Sequence, residues 1–251
     1  ETVPLLRVMA EKPQRGAAAP VDGKMPLRMV SLNCRAGMWN PQALQDVEPW
    51  NPDILFLQEA PLPQDLQKFA AKLYGDARGH FEGGYKCAIL SRGIIRNTLT
   101  SYQPYSILGT VEIAPGKFVE VACVHLQGAE TSMELWTRDA FRRHYYNRQS
   151  RRAELARLLG VQRLYQGDNP AIVGGDFNAP AGDAVFDLLR DGGFRDAFRE
   201  VGSGWADTYP NAAPVLRIDH LWVNNHIIPQ RAMVVKTQYS DHRMLVADLL
   251  I

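Results

Sequence analysis

The sequence predicts an α/β fold in which mixed β-sheets and helices pack as a sandwich. From Leu27 onward, short β-branched runs alternate with longer amphipathic stretches, a pattern that favours an α/β sandwich over an all-β domain. Several connections are short enough for hairpins, notably Ala114-Pro115-Gly116, so the sheets are expected to be mixed. Polar residues also stand at the ends of several apolar runs, where side chains leave the core. These strand ends therefore predict a site at one rim of a sheet.

The strand predictions rest on short apolar runs rich in β-branched residues. They are Leu27 to Asn33, Ile54 to Gln58, Lys86 to Ser91, Ile94 to Thr100, Ile107 to Ile113, Lys117 to His125, Ala171 to Gly174, Ile218 to Val223 and Leu245 to Ile251. Helices are predicted where apolar residues recur at helical spacing. They are Pro41 to Glu48, Leu62 to Leu73, Tyr146 to Tyr165 and Ala184 to Asp191. The longest of these helices is strongly basic on its polar face.

Length and charge set the class of protein. A chain of 251 residues can bury about 70 to 75% of its unfolded surface, so a sizeable core is available. Lys and Arg number 28 against 27 Asp and Glu, so no strong overall field attracts nucleic acid or membrane, and any such attraction must be local. The three cysteines lack any Cys-x-x-Cys spacing and are interpreted as core thiols: Cys34, Cys87 and Cys123.

The domain organisation is predicted from a change in composition near residue 26. Residues 1–26 are rich in Pro, Ala and Gly and are interpreted as an N-terminal arm or linker, and residues 27–251 as one domain. No apolar run approaches the roughly 20 residues that span a bilayer. The arm, and Glu1 in place of an initiator Met, fit an exported or membrane-tethered protein from which an N-terminal segment has been removed.

An Asp-x-Asn follows the apolar strand that begins at Ala171. Positions i and i+2 of an extended segment face the same way, so Asp176 and Asn178 can address one ligand together. Taken alone, the same residues before Pro180 describe an ordinary turn.

Glu59 and Asn33 also end apolar strands. A Glu at a strand end is ordinary when it faces solvent, whereas as a functional residue Glu59 would be a magnesium ligand. The Asn33 amide could orient that carboxylate or donate to a phosphate oxygen.

The histidine candidates are His125, at the end of an apolar strand, and His242, in Ser-Asp241-His242 near the end of the chain. Considered alone, His125 is explained as a hydrogen-bonded structural histidine, and Ser-Asp241-His242 is explained as an ordinary surface tripeptide. In Arg-Ile-Asp219-His220, strand alternation sends the two side chains to opposite faces, so only one of them can join the site. A carboxylate such as Asp219 could hold the tautomer of the His242 ring.

The joint pattern resembles the endonuclease/exonuclease/phosphatase superfamily, which includes enzymes similar to pancreatic deoxyribonuclease, exonuclease III-type enzymes and neutral sphingomyelinases. The resemblance covers about Leu27 to Ile251. It is carried by Ser31-Leu-Asn33, Leu57-Gln-Glu59, Ala88-Ile-Leu-Ser-Arg92, Val124-His125-Leu, Gly174-Gly-Asp176-Phe-Asn178, Arg217-Ile-Asp219-His and Ser240-Asp241-His242. It implies a four-layer α/β/β/α sandwich of the deoxyribonuclease I type, with the site at one edge of two packed mixed sheets.

The resemblance also implies a metal cofactor. Glu59 would bind Mg²⁺, with Mn²⁺ as the alternative ion, assisted by Asn33 and Asp241. Asp176 would align the attacking water or hold a second metal.

The implied catalytic set comprises His125, Asp176, Asn178, Asp219 and His242. His242, oriented by Asp219, would act as a general base or as a proton-bearing stabiliser of the phosphorane. Asn178 would donate to the phosphoryl oxygens, and His125 would stabilise transition-state charge. Whether His242 or Asp176 activates the water is left open by the family pattern.

The substrate prediction rests on a stretch after His125 in which arginines alternate with aromatic residues, from Trp136 to Arg152. Guanidinium groups pair with phosphates, and rings can stack on bases. The alternative is a helix that buries its rings and solvates its arginines. The predicted substrate-binding residues are Arg92, Asn178, Arg138 and Arg142.

The leading functional hypothesis is a magnesium-dependent phosphodiesterase that is a nuclease and acts as a monomer. The alternatives are a phospholipid-headgroup or small-molecule phosphoesterase, a catalytically silent binding domain, and a zinc hydrolase. The zinc hydrolase would require more soft ligands than the sequence clusters. Sequence marks of the inositol-polyphosphate 5-phosphatases are absent, and His125 stands where exonuclease III-type enzymes usually show a tyrosine and an asparagine.

Overall fold

The computed structural model describes residues 23–75, 80–84, 86–102, 105–128, 137–160 and 169–251. The strands in this part of the chain are β1 (Pro26–Asn33), β2 (Ile54–Gln58), β3 (Phe81–Gly84), β4 (Cys87–Ser91), β5 (Ile94–Tyr102), β6 (Tyr105–Ala114), β7 (Lys117–His125), β8 (Ala171–Asp176), β9 (Arg195–Asp196), β10 (Gly202–Ser203), β11 (Asp219–Val223), β12 (Ile228–Val235) and β13 (Met244–Leu250).

The helices in the same part of the chain are α1 (Leu44–Val47), α2 (Pro63–Tyr74), α3 (Arg138–Leu159), α4 (Asp187–Asp191) and α5 (Ala197–Val201). Short 3-10 turns cover Pro41–Ala43, Glu48–Trp50 and Ala184–Phe186. Among these helices, none has the length and apolar character needed to cross a bilayer.

The strands form two mixed sheets. The first has the order β10-β12-β13-β1-β2-β4-β3, and the second has the order β5-β6-β7-β8-β11-β9. Most neighbours are antiparallel, but three pairs are parallel: β1 with β2, β7 with β8, and the short β10 with β12. The carboxyl ends of the two strands in each parallel pair therefore lie at the same edge of their sheet.

Three hydrophobic cores separate four layers. The central core lies between the sheets and includes Met29, Phe56, Val121 and Ile172. The second core packs α1 and α2 on the outer face of the first sheet, and the third packs α3 and α4 on the outer face of the second sheet. The predicted α/β/β/α sandwich with two packed mixed sheets is confirmed.

Strand alternation determines which residues enter the central core. In β1, Leu27 and Met29 face the other sheet, whereas Val30 and Leu32 face the helices. The polar residues that continue the inward-facing rows therefore emerge at the end of the gap between the sheets.

The cysteines belong to these cores. All three are buried and free: Cys34, Cys87 and Cys123. Burial raises the pKa of the Cys34 and Cys87 thiols well above the ordinary value, so both stay protonated. The prediction of core thiols is confirmed.

Several predictions of elements need correction. The strand β12 was not predicted, because Pro229 and the polar residues beside it obscure a strand pattern. The structure accommodates them with a register shift between Pro229 and Arg231, next to the two-residue strand β10. The basic helix begins at Arg138 rather than Tyr146, because Thr137 caps it by accepting a hydrogen bond from the Ala140 amide. Residues 161–165 of the predicted helix lie outside the described residues.

The predicted helix from Pro41 to Glu48 is also broken into a 3-10 turn, the single turn α1 and a second 3-10 turn. Pro41 and Pro49 start the two 3-10 segments, since proline fixes φ at the first helical positions.

Candidate active site

Four strands end and β11 begins at one edge of the gap between the sheets, and we call this edge the rim. In the second sheet, Asp176 pairs with His125 on β7 and with Asp219 on β11. In the first sheet, the ends of β1 and β2 place Asn33 beside Gln58, which is followed by Glu59. The Asn33 Nδ2 atom donates across the gap to Asp176 Oδ2 at 3.0 Å, so the two sheets meet at the rim.

Asp176 lies at the centre of this arrangement and is 2% exposed. Its Oδ2 atom is 3.8 Å from His125 Nε2 and 4.0 Å from His242 Nε2, while its Oδ1 atom accepts a 2.8 Å hydrogen bond from the Asn178 amide. Burial raises the pKa of the Asp176 carboxyl, and the negative charge of Asp219 raises it further, while the nearby imidazoles act in the opposite direction. A buried carboxylate with two imidazole neighbours can orient a water molecule and exchange protons.

Glu59 reaches the rim through a strained backbone. It has a positive φ of 47°, which a glutamate rarely adopts, and its side chain is half-buried. Its Oε2 atom accepts from the Ala36 amide at 2.6 Å, and its Oε1 atom accepts from Asn33 Nδ2 at 3.4 Å. A Cβ on Gly37 would lie 2.3 Å from the Glu59 carbonyl oxygen, so glycine permits the loop after β1 to approach.

His242 is held by Asp219. The Nδ1 atom lies 2.9 Å from Asp219 Oδ2, so Nδ1 carries the proton and Nε2 faces Asp176. Burial lowers the pKa of His242, but the neighbouring carboxylates, Asp219 foremost, raise it to about 9 overall. The imidazole is thus anchored at one nitrogen and free to donate or accept at the other.

Buried hydroxyl groups position the His242–Asp219 pair. Thr208 Oγ1 accepts from the amides of Ile218 and Asp219, both at 3.2 Å. Ser240 Oγ donates to the Asn33 carbonyl at 2.6 Å and accepts from the His242 amide at 3.0 Å. The last loop of the chain is therefore tied directly to the end of β1.

Asn178 and Asp241 complete the rim. Asn178 has a positive φ of 49° and donates through Nδ2 to the Leu126 carbonyl at 3.0 Å, one residue after His125. Its amide keeps a second N–H that this bond does not use. The Asp241 side chain is 37% exposed and lies 3.8 Å from Arg35 Nε.

Two groups of residues could hold a divalent metal. The ligand atoms of Asp176, Asp219 and His242 lie within 4.8 Å of one another. However, Asp219 and His242 are already hydrogen-bonded to each other, and Asp219 is only 1% exposed. Glu59 is more accessible and offers a carboxylate beside Asn33 and Asp176, which suits hard cations that retain water ligands. Of the two groups, the Glu59 group therefore has the more accessible carboxylate.

Residues 30–242 match the Endonuclease/Exonuclease/phosphatase family, and this range includes every residue placed at the rim. The chain belongs to this family. It is 28% identical to the uncharacterized protein YbhP of Escherichia coli K12 over 188 residues, covering 70% of this chain and 67% of that protein.

Solved structures of family members share the fold. An endonuclease/exonuclease/phosphatase family protein from Bacteroides thetaiotaomicron has a TM-score of 0.67 at 16% identity, covering 91% of this chain and 98% of that chain. The mannosyl-6-phosphatase Bt3783 of the same organism has a TM-score of 0.64 at 17% identity, covering 90% and 100%. D. rerio TDP2, complexed with a single-strand DNA product, has a TM-score of 0.64 at 17% identity, covering 89% and 98%.

One of the predicted substrate-binding residues does not reach the rim. Arg92 follows Ser91, which pairs with Ile54 at the opposite end of β2 from Glu59. There its guanidinium group binds Asp53 at 2.9 Å and Asn51 at 2.6 Å. The prediction that Arg92 binds substrate is therefore corrected: Arg92 ties a loop to the far end of the first sheet.

The predicted basic residues Arg138 and Arg142 lie exposed in the first turns of α3. Further along this helix, Asn147 Nδ2 donates to the carbonyl of Gly128, three residues after His125, at 2.9 Å. Trp136 lies outside the described residues.

The sequence reasoning missed the positioning roles of Thr208, Ser240 and Gly37. The two hydroxyl groups lie in loops with no strand or helix pattern, although Ser240 stood within a motif. The short sequence Thr208-Tyr-Pro210 was the only signal for the first of them.

Proposed function

We propose that the chain is a divalent-metal-dependent phosphodiesterase that hydrolyses its substrate by in-line attack of water, and that its substrate is a nucleic acid. One observation carries the proposal: a buried carboxylate, Asp176, lies between two imidazoles and an amide, next to the accessible carboxylate of Glu59. This combination provides a proton acceptor, neutral or cationic donors and hard oxygen ligands at one place.

The chemistry of phosphodiester hydrolysis requires such a combination. A phosphodiester is anionic and repels a nucleophile, and negative charge grows on its phosphoryl oxygens as water attacks. Each preorganised donor at such a site is typically worth about 3 to 4 kcal/mol. His125, His242 and the unused N–H of Asn178 are the donors that would meet those oxygens.

We assign the activation of the attacking water to Asp176. This carboxylate would orient the attacking water and accept its proton, because it lies between both imidazoles and is itself fixed by Asn33 and Asn178. His242 would hold its Nδ1 proton toward Asp219 and use Nε2 to stabilise the phosphoryl group.

Mg²⁺ or Mn²⁺ would be held by Glu59, with Asn33 and Asp241 in support, and when bound it would neutralise phosphoryl charge. The fit rests on the donor set: Glu59 and Asp176 present oxygen atoms around one amide, that of Asn33. The Asn33 Nδ2 atom donates to both carboxylates, so it holds their oxygen atoms close to each other.

The nucleic-acid assignment is supported by the arginines of α3 and by the single-strand DNA product bound to D. rerio TDP2. A small-molecule phosphoesterase is the second candidate, supported by the similarity to mannosyl-6-phosphatase Bt3783. Both candidates use the same rim and differ in what lies beyond the scissile bond.

The test compares hydrolysis of bis-p-nitrophenyl phosphate with nicking of supercoiled plasmid, in the presence of Mg²⁺, Mn²⁺ or a chelator. The wild type, His242→Ala and His226→Ala are compared. His226 is an exposed histidine after β11, at the end of that strand away from the rim, so it serves as the matched control.

Metal-dependent turnover that is lost in His242→Ala and kept in His226→Ala would support the phosphodiesterase. Plasmid nicking would favour the nuclease, and cleavage of the small substrate alone would favour the second candidate. Absence of turnover on both substrates would reject the general nuclease.

A further inference from the structure

The N-terminal half of α3 exposes aromatic rings to solvent. Phe141, Tyr145 and Tyr146 are 70%, 54% and 60% exposed, and we call these three residues the aromatic patch. The alternative that the helix buries its rings is therefore wrong for these three residues. Large rings clustered on a surface mark an interaction site more often than chance exposure does.

The helix that carries the patch is strongly basic. It contains seven arginines and two acidic residues, whereas the whole chain has a formal net charge of +1. Arg142 and Arg143 are exposed and lie among the rings. The positive charge is thus concentrated on one element, and its partner should be an anion that also presents flat or apolar groups.

A groove runs beside the patch. It has a volume of about 260 Å³ and lies between α3 and the turn that contains Asp183; its walls include Phe141, His144, Tyr145, Arg148 and Arg152. Asp183 is paired with Arg148 at 3.2 Å, so it adds little repulsion. A groove with ring and guanidinium walls suits separate flat bases joined by phosphates better than it suits the continuous surface of a bilayer.

The helix that carries the patch contacts the chain segment that leaves the rim after His125. Asn147, which binds the Gly128 carbonyl three residues after His125, directly follows Tyr146 on the helix. At 1.5 Å per residue, the patch extends about 9 Å from this contact along the helix. A single strand of nucleic acid that leaves the rim along this segment would reach the patch.

We propose that the aromatic patch, with Arg142 and Arg143, binds a single-stranded segment of nucleic acid that flanks the scissile phosphate. This inference rests on the proposed nuclease function. Exposed rings can stack only on unpaired bases, because the faces of bases in a duplex are covered by their neighbours. The patch therefore makes the protein select substrates with single-stranded segments.

The test measures binding of a fluorescent dT20 oligonucleotide and of a 20-base-pair duplex by anisotropy, in chelator so that neither is cleaved. The Phe141→Ala/Tyr145→Ala/Tyr146→Ala variant should bind dT20 at least about 10-fold more weakly, since each stacked base contributes substantially. Its affinity for the duplex should change less than about 2-fold, because arginines alone serve that contact. Phe118→Ala, at the opposite end of β7 from His125, is the aromatic control and should leave both affinities unchanged.

A second variant tests the charge. Arg142→Ala/Arg143→Ala should reduce the slope of log affinity against log salt for dT20 by about 1.4, at about 0.7 for each phosphate contact in a single strand. Arg157→Ala, an exposed arginine in the last turn of the same helix, should leave the slope unchanged.

Equal dT20 affinities of the wild type and the ring variant, with circular dichroism showing both folded, would overturn the inference. So would wild-type binding to vesicles of phosphatidylglycerol without binding to dT20, which would make the partner a membrane. Failure of the wild type to hydrolyse both bis-p-nitrophenyl phosphate and plasmid would instead reject the proposed function, and these assays do not depend on the binding measurement.

Discussion

At the residue scale, two residues of the site have backbone conformations that residues other than glycine rarely adopt. Glu59 and Asn178 have φ values of 47° and 49°, and each directs a polar group into the rim. Asparagine tolerates this region, whereas a glutamate there costs about 1 to 3 kcal/mol. The bonds from the Ala36 and Asn33 nitrogens hold the Glu59 carboxylate in place.

We expect Glu59→Gln to lower kcat by about 100-fold or more with little loss of stability, because the amide keeps the shape but removes the charge. Turnover of bis-p-nitrophenyl phosphate and urea unfolding measure the two effects. Glu48→Gln, on the outer helical layer, is the control. Near-normal turnover by Glu59→Gln would remove Glu59 from the metal site.

The side chains of the adjacent residues Asp219 and His220 point to opposite faces of the sheet. Asp219 faces the gap between the sheets, whereas His220 faces the helices and contacts Phe177 and Phe186. Burial lowers the pKa of His220 to about 4, with Arg217 adding to the effect. As the sequence predicted, only one of the pair can join the site directly.

His220 should make stability depend on pH. Its folded pKa lies below the unfolded value of about 6.5, so its neutral form stabilises the fold fully above pH 6.5. That contribution is lost as the pH falls through this window toward 4, by about 2 kcal/mol between pH 6.5 and 5. The His220→Gln variant keeps a donor for the Ala179 carbonyl. Between pH 6.5 and 5, its free energy of unfolding, measured with urea, should fall by about 2 kcal/mol less than that of the wild type. Identical pH profiles would contradict the assignment.

At the element scale, the close approach of β7 and β8 sets the geometry of the rim. Gly175 has a φ of 135°, and a Cβ there would lie 2.1 Å from the Val124 carbonyl oxygen. Glycine therefore allows these strands to end with His125 and Asp176 side by side. The glycines before Asp176 are a requirement of packing, which the sequence alone indicated only in general terms.

Gly175→Ala should destabilise the protein by more than about 3 kcal/mol, beyond the usual effect of a single substitution. Gly116→Ala is the matched control, since Gly116 also has a positive φ of 72° but has no atom within 4 Å of its would-be Cβ. It should cost only about 1 to 2 kcal/mol. Thermal unfolding measures both, and equal costs would show that the Val124 contact can relax.

At the scale of the whole molecule, metal binding should stabilise the fold, because the proposed ligands Glu59, Asn33 and Asp241 come from distant parts of the chain. At ten times Kd, an ion that binds only the folded state adds about 1.4 kcal/mol. For a domain of this size the melting temperature should rise by about 3 to 6 °C. Mg²⁺ or Mn²⁺ should give this shift in wild type and Glu48→Gln but not in Glu59→Gln. An equal shift in all three would locate the ion elsewhere.

The sequence predicted most strands because each carries its own apolar pattern, and it failed where that pattern was interrupted. Strand β12 contains Pro229 and is identified by its pairing with β13 and β10. Arg92 was assigned to the substrate by its motif, yet a single antiparallel pairing places it at the far end of β2. Direction within a sheet is a property of pairing, and no local pattern encodes it.

By itself, the sequence determined the α/β sandwich, the alternation that turns polar residues out of the core, and the identity of the residues at the strand ends. Only the tertiary structure decided which of these ends meet. It joined Asn33 to Asp176 across two sheets and His242 to Asp219 across the last loop. It also left the rings of α3 exposed. Helical periodicity could not predict this exposure, because the layer that covers a helix face comes from distant parts of the chain.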